Sequence, residues 1–279
     1  MDIRLLCFDL DGTFLDDGKN IPADNLEALR RAAARGVRIV PATGRIYDGI
    51  PEALRTLPFM RWYITSNGAQ IYDAAEHRAA AKAEIDPERA VEFYEYADSL
   101  SLLYDCYQDN WGYMTADMLA AAPDIIPDPG VRKLIRDLRK PVPELKRYLL
   151  DKGAGVQKLQ LYFTDMELRK RLLKELPGRF PDLRFSTSMP FNIEINAAAA
   201  TKGQAMLTLC ALLNLPAEST MALGDGTNDL DMICLAGCGV AMANAAPELL
   251  EAADYITGSN NEGGFAAAVE RIVLKGLDP

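Results

Sequence analysis

Histidine is nearly missing: His77 is the single imidazole in 279 residues. A hydrolase with a histidine base, a zinc site with two or more histidines, or a phosphohistidine relay is therefore excluded. Acid–base work, if there is any, falls to carboxylates, lysine or a metal. Long apolar runs are missing as well. No stretch approaches the roughly 18 residues of a membrane span, and no basic start with a long apolar stretch marks a signal peptide. Basic residues are in deficit, with 30 Lys and Arg against 40 Asp and Glu and a net charge of −10. Nucleic acid and anionic membranes both reward clustered cations, so neither is expected as a partner. Cysteine is sparse and odd in number. Cys7, Cys106, Cys210, Cys234 and Cys238 lie mostly in apolar runs, which reads as reduced core thiols of a cytoplasmic protein. Cys234 and Cys238 are four apart, but nothing around them completes a metal set.

What is present is a soluble globular composition, 49% hydrophobic and 25% charged. At about 150 residues per domain the length predicts two domains. Ile3 to Phe8 is a short apolar run that stops at an acidic turn, as a buried parallel strand does. A helix opened by Pro22 and closed by Gly36 follows, then a strand at Val37–Val40, a helix near Ala53–Leu57 and a third strand at Trp62–Thr65. This alternation predicts an α/β, doubly wound (Rossmann-like) parallel sheet.

Ala69–Asp73 reads as a strand in a hairpin or flap. From there the texture turns aromatic and proline-rich, with a helix after Asp86-Pro87 and two strands around Gln108-Asp109-Asn110. Lys158 to Phe163 alternates, which predicts a half-exposed strand whose polar face meets solvent or ligand. Thr164 and Glu167 are spaced as a capping box. From Phe191 the doubly wound pattern returns, starting with a strand at Phe191–Ile195. The expected plan is a core of residues 1–83 and 190–279 interrupted by an α+β insert of residues 84–189.

Asp9 and Asp11 close the first strand, followed by Gly12 and Thr13, and ligands of such sheets bind beyond the carboxyl ends of the strands. A spacing of two sends both carboxylates to the same side of an extended chain. Close carboxylates imply a shared proton or a metal. A calcium loop is excluded, because Phe14 stands where it needs Gly and Asn20 where it needs Glu. Gly224-Asp225-Gly226-Thr227-Asn228-Asp229 follows another strand. Its acids add oxygen donors that suit Mg²⁺. Thr43-Gly44-Arg45 offers a hydroxyl and main-chain N–H groups for a phosphoryl oxygen, although Thr-Gly alone is more often a plain turn. Lys202 falls in the first turn of a helix, where the macrodipole disfavours a cation unless an anion is near.

In order and spacing these segments resemble the four motifs of the haloacid dehalogenase-like phosphohydrolases. The insert resembles the large α/β cap of the Cof-type subgroup, as does Ser66-Asn67-Gly68-Ala69 before it. Gly226 stands where the family often has Ser or Asn. The resemblance implies Asp9 as nucleophile and Asp11 as general acid and base. It implies Mg²⁺ held by Asp9, Asp11 through its main-chain carbonyl, and Asp225, with Asp229 supporting. The phosphoryl group would be held by Thr43, Lys202, Asn228, Gly12 and Gly44. Arg45 and Asn67 are candidates for substrate contact, and the cap would close over the site. The implied activity is a phosphatase for a small phosphorylated metabolite, a sugar phosphate first, with pyridoxal phosphate or flavin mononucleotide as lesser candidates. Two rivals remain open here: a phosphosugar mutase, and a non-catalytic metabolite-binding protein on the same scaffold.

Overall fold

The computed structural model describes residues 2–277. The chain forms two compact units, one of residues up to Lys82 and from Thr201 onward, the other Ala83–Ala200. Among the described residues, no helix is long and apolar enough to cross a membrane.

In the first unit a five-stranded, all-parallel sheet runs in the order Tyr255–Ile256, Cys238–Ala241, Thr220–Gly224, Leu5–Phe8, Arg38–Pro41. Leu5–Phe8 is apolar throughout because both faces of a parallel sheet are covered. Leu6 and Phe8 pack with the helix Ala23–Ala34 and with Phe265 and Ile272. Leu5 and Cys7 face the opposite layer, with Met206 and Leu209 of the helix Lys202–Leu213 and with Met232 and Leu249. Past Leu5–Phe8, Phe14 turns back into the core, its ring 5.1 Å from Phe8 and 4.9 Å from Phe265. That anchor fixes the loop on which Asp9 and Asp11 sit.

Trp62–Thr65 does not extend this sheet as a full strand. It touches it through one bridge, Ala42 to Ile64, and otherwise forms a three-stranded antiparallel sheet with Gln70–Asp73 and Arg78–Lys82. The reversal between the first two passes through Ser66, Asn67 and Gly68, all at positive φ.

In the second unit a six-stranded sheet runs in the order Leu183–Ser186, Asn192–Ala197, Lys158–Tyr162, Leu103–Gln108, Trp111–Thr115, Arg139–Val142. Only the last pair is parallel. The strand expected at Phe191–Ile195 in the core is thus corrected. Asn192–Ala197 pairs with Lys158–Tyr162, and Ile193 and Ile195 are buried in this unit's own apolar core.

Lys158–Tyr162 also differs from expectation, since all five residues are buried. Its polar side is satisfied internally. Lys158 pairs with Glu194 at 2.8 Å, while Gln160 and Tyr162 donate to Asp105, which pairs with Arg139 at 2.6 Å. The next helix, Met166–Arg179, is capped by Asp165 rather than Thr164, the Asp165 carboxylate accepting from the amides of Glu167 and Leu168. Of the cysteines, Cys234 is exposed, the other four are buried, and all five are free.

Candidate active site

Leu5–Phe8 lies between Arg38–Pro41, which follows it in sequence, and Thr220–Gly224, which returns from far along the chain. Such a reversal of strand order opens a crevice at the carboxyl ends, where ligands of α/β sheets bind. Asp9, Thr43 and Asp225 all emerge at that edge, each within two residues of its strand's end. Asp9, Asp225 and Asp229 come together there, with one carboxylate oxygen of each within 4.8 Å of the others.

Lys202 sits inside this group with its side chain fully buried. Its Nζ lies 2.7 Å from Asp9 Oδ1 and 2.6 Å from Asp229 Oδ1. Burial alone would lower the ammonium, but Asp229 and Asp9 outweigh it and hold it above the ordinary lysine range. Asp9 and Asp229 share this cation directly, and Asp225 feels its charge from further off. Burial pushes the Asp9 carboxyl well above its ordinary range; Lys202 opposes the shift, and Asp229, Asp225 and Asp11 add to it. Asp225 is pushed up to about 6, chiefly by burial, against the hydrogen bond that Thr13 Oγ1 donates to its Oδ1 at 2.7 Å.

Asp229 is committed on both sides. Beyond Lys202, its Oδ2 accepts from the amides of Asp225 at 3.1 Å and Gly226 at 3.0 Å. It therefore shapes the loop that presents Asp225. Gly12 has φ +84, and a Cβ there would run into the Asp225 carboxylate. Its carbonyl accepts from Asn244 Nδ2 at 2.8 Å. The absence of a side chain at Gly12 is thus what admits Asp225 to the edge.

The structure does not bring the Asp11 carboxylate into the acid group. The chain after Asp9 is a turn, with the amides of Thr13, Phe14 and Leu15 all donating to the Leu10 carbonyl, so spacing on an extended strand does not apply. Asp11 instead pairs with Arg45 by two hydrogen bonds and with Lys19 Nζ at 2.9 Å. Burial would raise its pKa, but these cations lower it to about 2.

Thr43 is buried, and its Oγ1 accepts from the Arg45 amide at 3.2 Å, so Thr43-Gly44-Arg45 forms a compact turn. Asn228 donates through Nδ2 to Asn67 Oδ1 at 3.2 Å, joining two residues 161 positions apart. Asn67 reaches that position because Gly68, at φ +97, lies so close to the Thr201 carbonyl that a Cβ would collide with it.

Sequence reasoning had no role for Lys19, Thr13 or Asp231. Thr13 stood in the quoted motif without an assignment. Lys19 lies at the tip of the Asp16–Asn20 turn, where only the Asp-Asp-Gly-Lys-Asn composition could have marked it.

Buried carboxylates, a bridging lysine and a hydroxyl thus gather at the switch point of a parallel sheet, and three of the acids form a group that could hold a metal ion. The chain belongs to the haloacid dehalogenase-like hydrolase family, whose pattern matches residues 6–269. It is 30% identical over 279 residues to the 5-amino-6-(5-phospho-D-ribitylamino)uracil phosphatase YcsE of Bacillus subtilis (strain 168), covering 98% of this chain and 97% of that one. Phosphatase YwpJ of the same organism is 29% identical over 298 residues, covering 97% and 100%. A crystal structure of a haloacid dehalogenase-like hydrolase from Bacteroides thetaiotaomicron superposes with a TM-score of 0.81 at 28% identity, covering 97% and 99%. The chain is accordingly a phosphatase, a phosphoric monoester hydrolase.

Proposed function

We propose that the chain is a cytoplasmic, Mg²⁺-dependent phosphatase that hydrolyses a small sugar or sugar-alcohol phosphate through an aspartyl phosphate on Asp9. The observation that carries this reading is Asp9 itself. It is a buried carboxylate at the end of the strand Leu5–Phe8, held by one oxygen on Lys202. The substrate class is supported by a relative whose name describes a 5-phospho-D-ribityl compound, the phosphate ester of a sugar alcohol. Free thiols without a disulfide suit the cytoplasm. The inserted unit Ala83–Ala200 is read as the cap that selects the substrate.

The donor set fits Mg²⁺. The clustered ligand atoms are all hard oxygens, and burial, with the neighbouring carboxylates adding to it, disfavours the charged forms of Asp9 and Asp225 in a way that a bound cation would relieve. Asp9, Asp225 and the Asp11 main chain would hold the ion, with Asp229 supporting Asp225. When bound, Mg²⁺ supplies positive charge that offsets repulsion between the Asp9 carboxylate and a phosphate ester.

In the first half-reaction an Asp9 carboxylate oxygen bonds to phosphorus as the ester P–O bond breaks, and Asp11 gives its proton to the leaving oxygen. In the second, water attacks phosphorus, Asp11 takes the proton, the Asp9–phosphorus bond breaks and inorganic phosphate leaves. The pairing of Asp11 with Arg45 and Lys19 keeps it ionised, the form the second half requires, while weakening it as a base. Donation requires those cations to loosen. Lys202 and Thr43 are assigned the phosphoryl oxygens, where charge develops.

Phosphate release from a panel of sugar phosphates and phosphorylated cofactors, with and without Mg²⁺, tests the reading. Asp9→Asn should abolish turnover in a folded protein, and substantial activity in that variant would remove Asp9 as nucleophile. Isomerised sugar phosphate without released phosphate would make the protein a mutase.

A further inference from the structure

The helix Lys202–Leu213 begins with a cation, against the preference of its dipole. Two side chains hold its first turn. Thr201 Oγ1 accepts from the Gln204 amide at 3.1 Å, and Asp231 Oδ2 accepts from the Gly203 amide at 3.2 Å. Gly203 lies directly against Asp231, since a Cβ there would come within 2.7 Å of its main chain and 2.8 Å of Oδ2. The second carboxylate oxygen, Oδ1, is buried with no hydrogen-bond partner among the described residues. Asp231 thus caps the positive end of the helix dipole, at the cost of one buried and unpaired carboxylate oxygen.

We infer that Asp231 is a positioning residue for Lys202, a reading that rests on the phosphoryl-holding role of Lys202 proposed above. Asp231 follows Asp229 by two residues. One segment therefore grips the lysine helix twice, at the Lys202 ammonium through Asp229 and at the neighbouring amide through Asp231. The amide contact sets the height of the helix end. The ammonium is then held to both Asp9 and Asp229 without freedom to drift toward either.

A double-mutant cycle with p-nitrophenyl phosphate as substrate, alongside thermal melts, tests this. Lys202→Ala should lower kcat/KM by about 10²–10³-fold. Asp231→Ala in the otherwise unchanged protein should lower it about tenfold, with the loss in kcat. In the Lys202→Ala background the same change should cost less than about twofold, because the group through which Asp231 acts is gone. Asp231→Asn, whose amide oxygen still accepts from Gly203, should recover activity to within about threefold of the unsubstituted protein. Should Asp231→Ala not fold, Asp231→Gln, with its acceptor displaced by one methylene, carries the same comparison. Equal losses in both backgrounds, or a lowered melting temperature with unchanged kcat, would overturn the inference while leaving Lys202 in place. Full activity in Lys202→Ala would instead remove the role of Lys202, and the inference with it.

Discussion

Arg45 meets Asp11 edge to edge, Nε 2.8 Å from Oδ2 and Nη2 2.7 Å from Oδ1, while its Nη1 donates to the Gly49 carbonyl at 2.9 Å. A flat guanidinium satisfies three acceptors in one plane, which an ammonium cannot do.

Arg45→Lys should therefore lower kcat/KM about tenfold, because the twin contact that orients Asp11 is lost. Lys19→Ala, which removes one contact from a well-exposed side chain, should cost less than about threefold. Steady-state kinetics on one phosphate ester decides it. A lysine variant equal to the natural enzyme would show that orientation of Asp11 does not depend on the fork.

Asp225 predicts how metal and pH act together. Its folded pKa, about 6, lies above its ordinary value, so the metal-free protein is favoured at low pH and loses that advantage as pH rises through about 6. Saturating Mg²⁺ should raise the melting temperature more at about pH 7.5 than at about pH 5. Differential scanning fluorimetry with and without Mg²⁺ measures this, and a larger shift at the lower pH would contradict it.

Gly12 and Gly36 separate backbone strain from collision. Both have positive φ, +84 and +82, but a Cβ at Gly36 meets nothing within 4 Å, whereas one at Gly12 strikes Asp225. Each change to Ala should cost about 1–3 kcal/mol of stability. Only Gly12→Ala should also raise the Mg²⁺ concentration for half-maximal activity, by about tenfold or more. Metal titrations of the two variants give the answer, and equal Mg²⁺ dependence would deny Gly12 its part.

Asp105 and Arg139, buried in the second unit, offer a test of stability. Asp105→Ala should cost about 3–5 kcal/mol, because it strands a buried guanidinium. The paired change Asp105→Leu with Arg139→Met should cost less, having removed both charges. Urea unfolding compares them, and a larger loss for the pair would show that the ion pair is worth more than its desolvation.

Much of the site was legible because its residues stand in short segments at strand ends, where local sequence and local structure agree. Asp9, Thr43, Lys202 and Asp225 all emerge where the strand–turn–helix reading put them. The pairing of Asp11 was not legible. Its partner Lys19 comes from a turn with no pattern of its own, and the chain curls immediately after Asp9. The sheet to which Asn192–Ala197 belongs was hidden for a different reason: alternating Ile and polar residues describe a strand without naming its neighbour. Lys158–Tyr162 reads as half-exposed because its polar residues look like a wet face. They are dry because Glu194, Asp105 and Arg139, distant in sequence, complete them.

The place of Leu5–Phe8 between Arg38–Pro41 and Thr220–Gly224 also has a history in time. Thr13 and its acceptor Asp225 are 212 residues apart. At about 5–20 residues per second of synthesis, roughly 10–40 seconds separate the emergence of the two halves of the acid group. For that interval the second edge of Leu5–Phe8, wholly buried in the finished protein, has no partner strand. The insert is finished first, and the half-built sheet must wait through its synthesis as an open template for any passing strand.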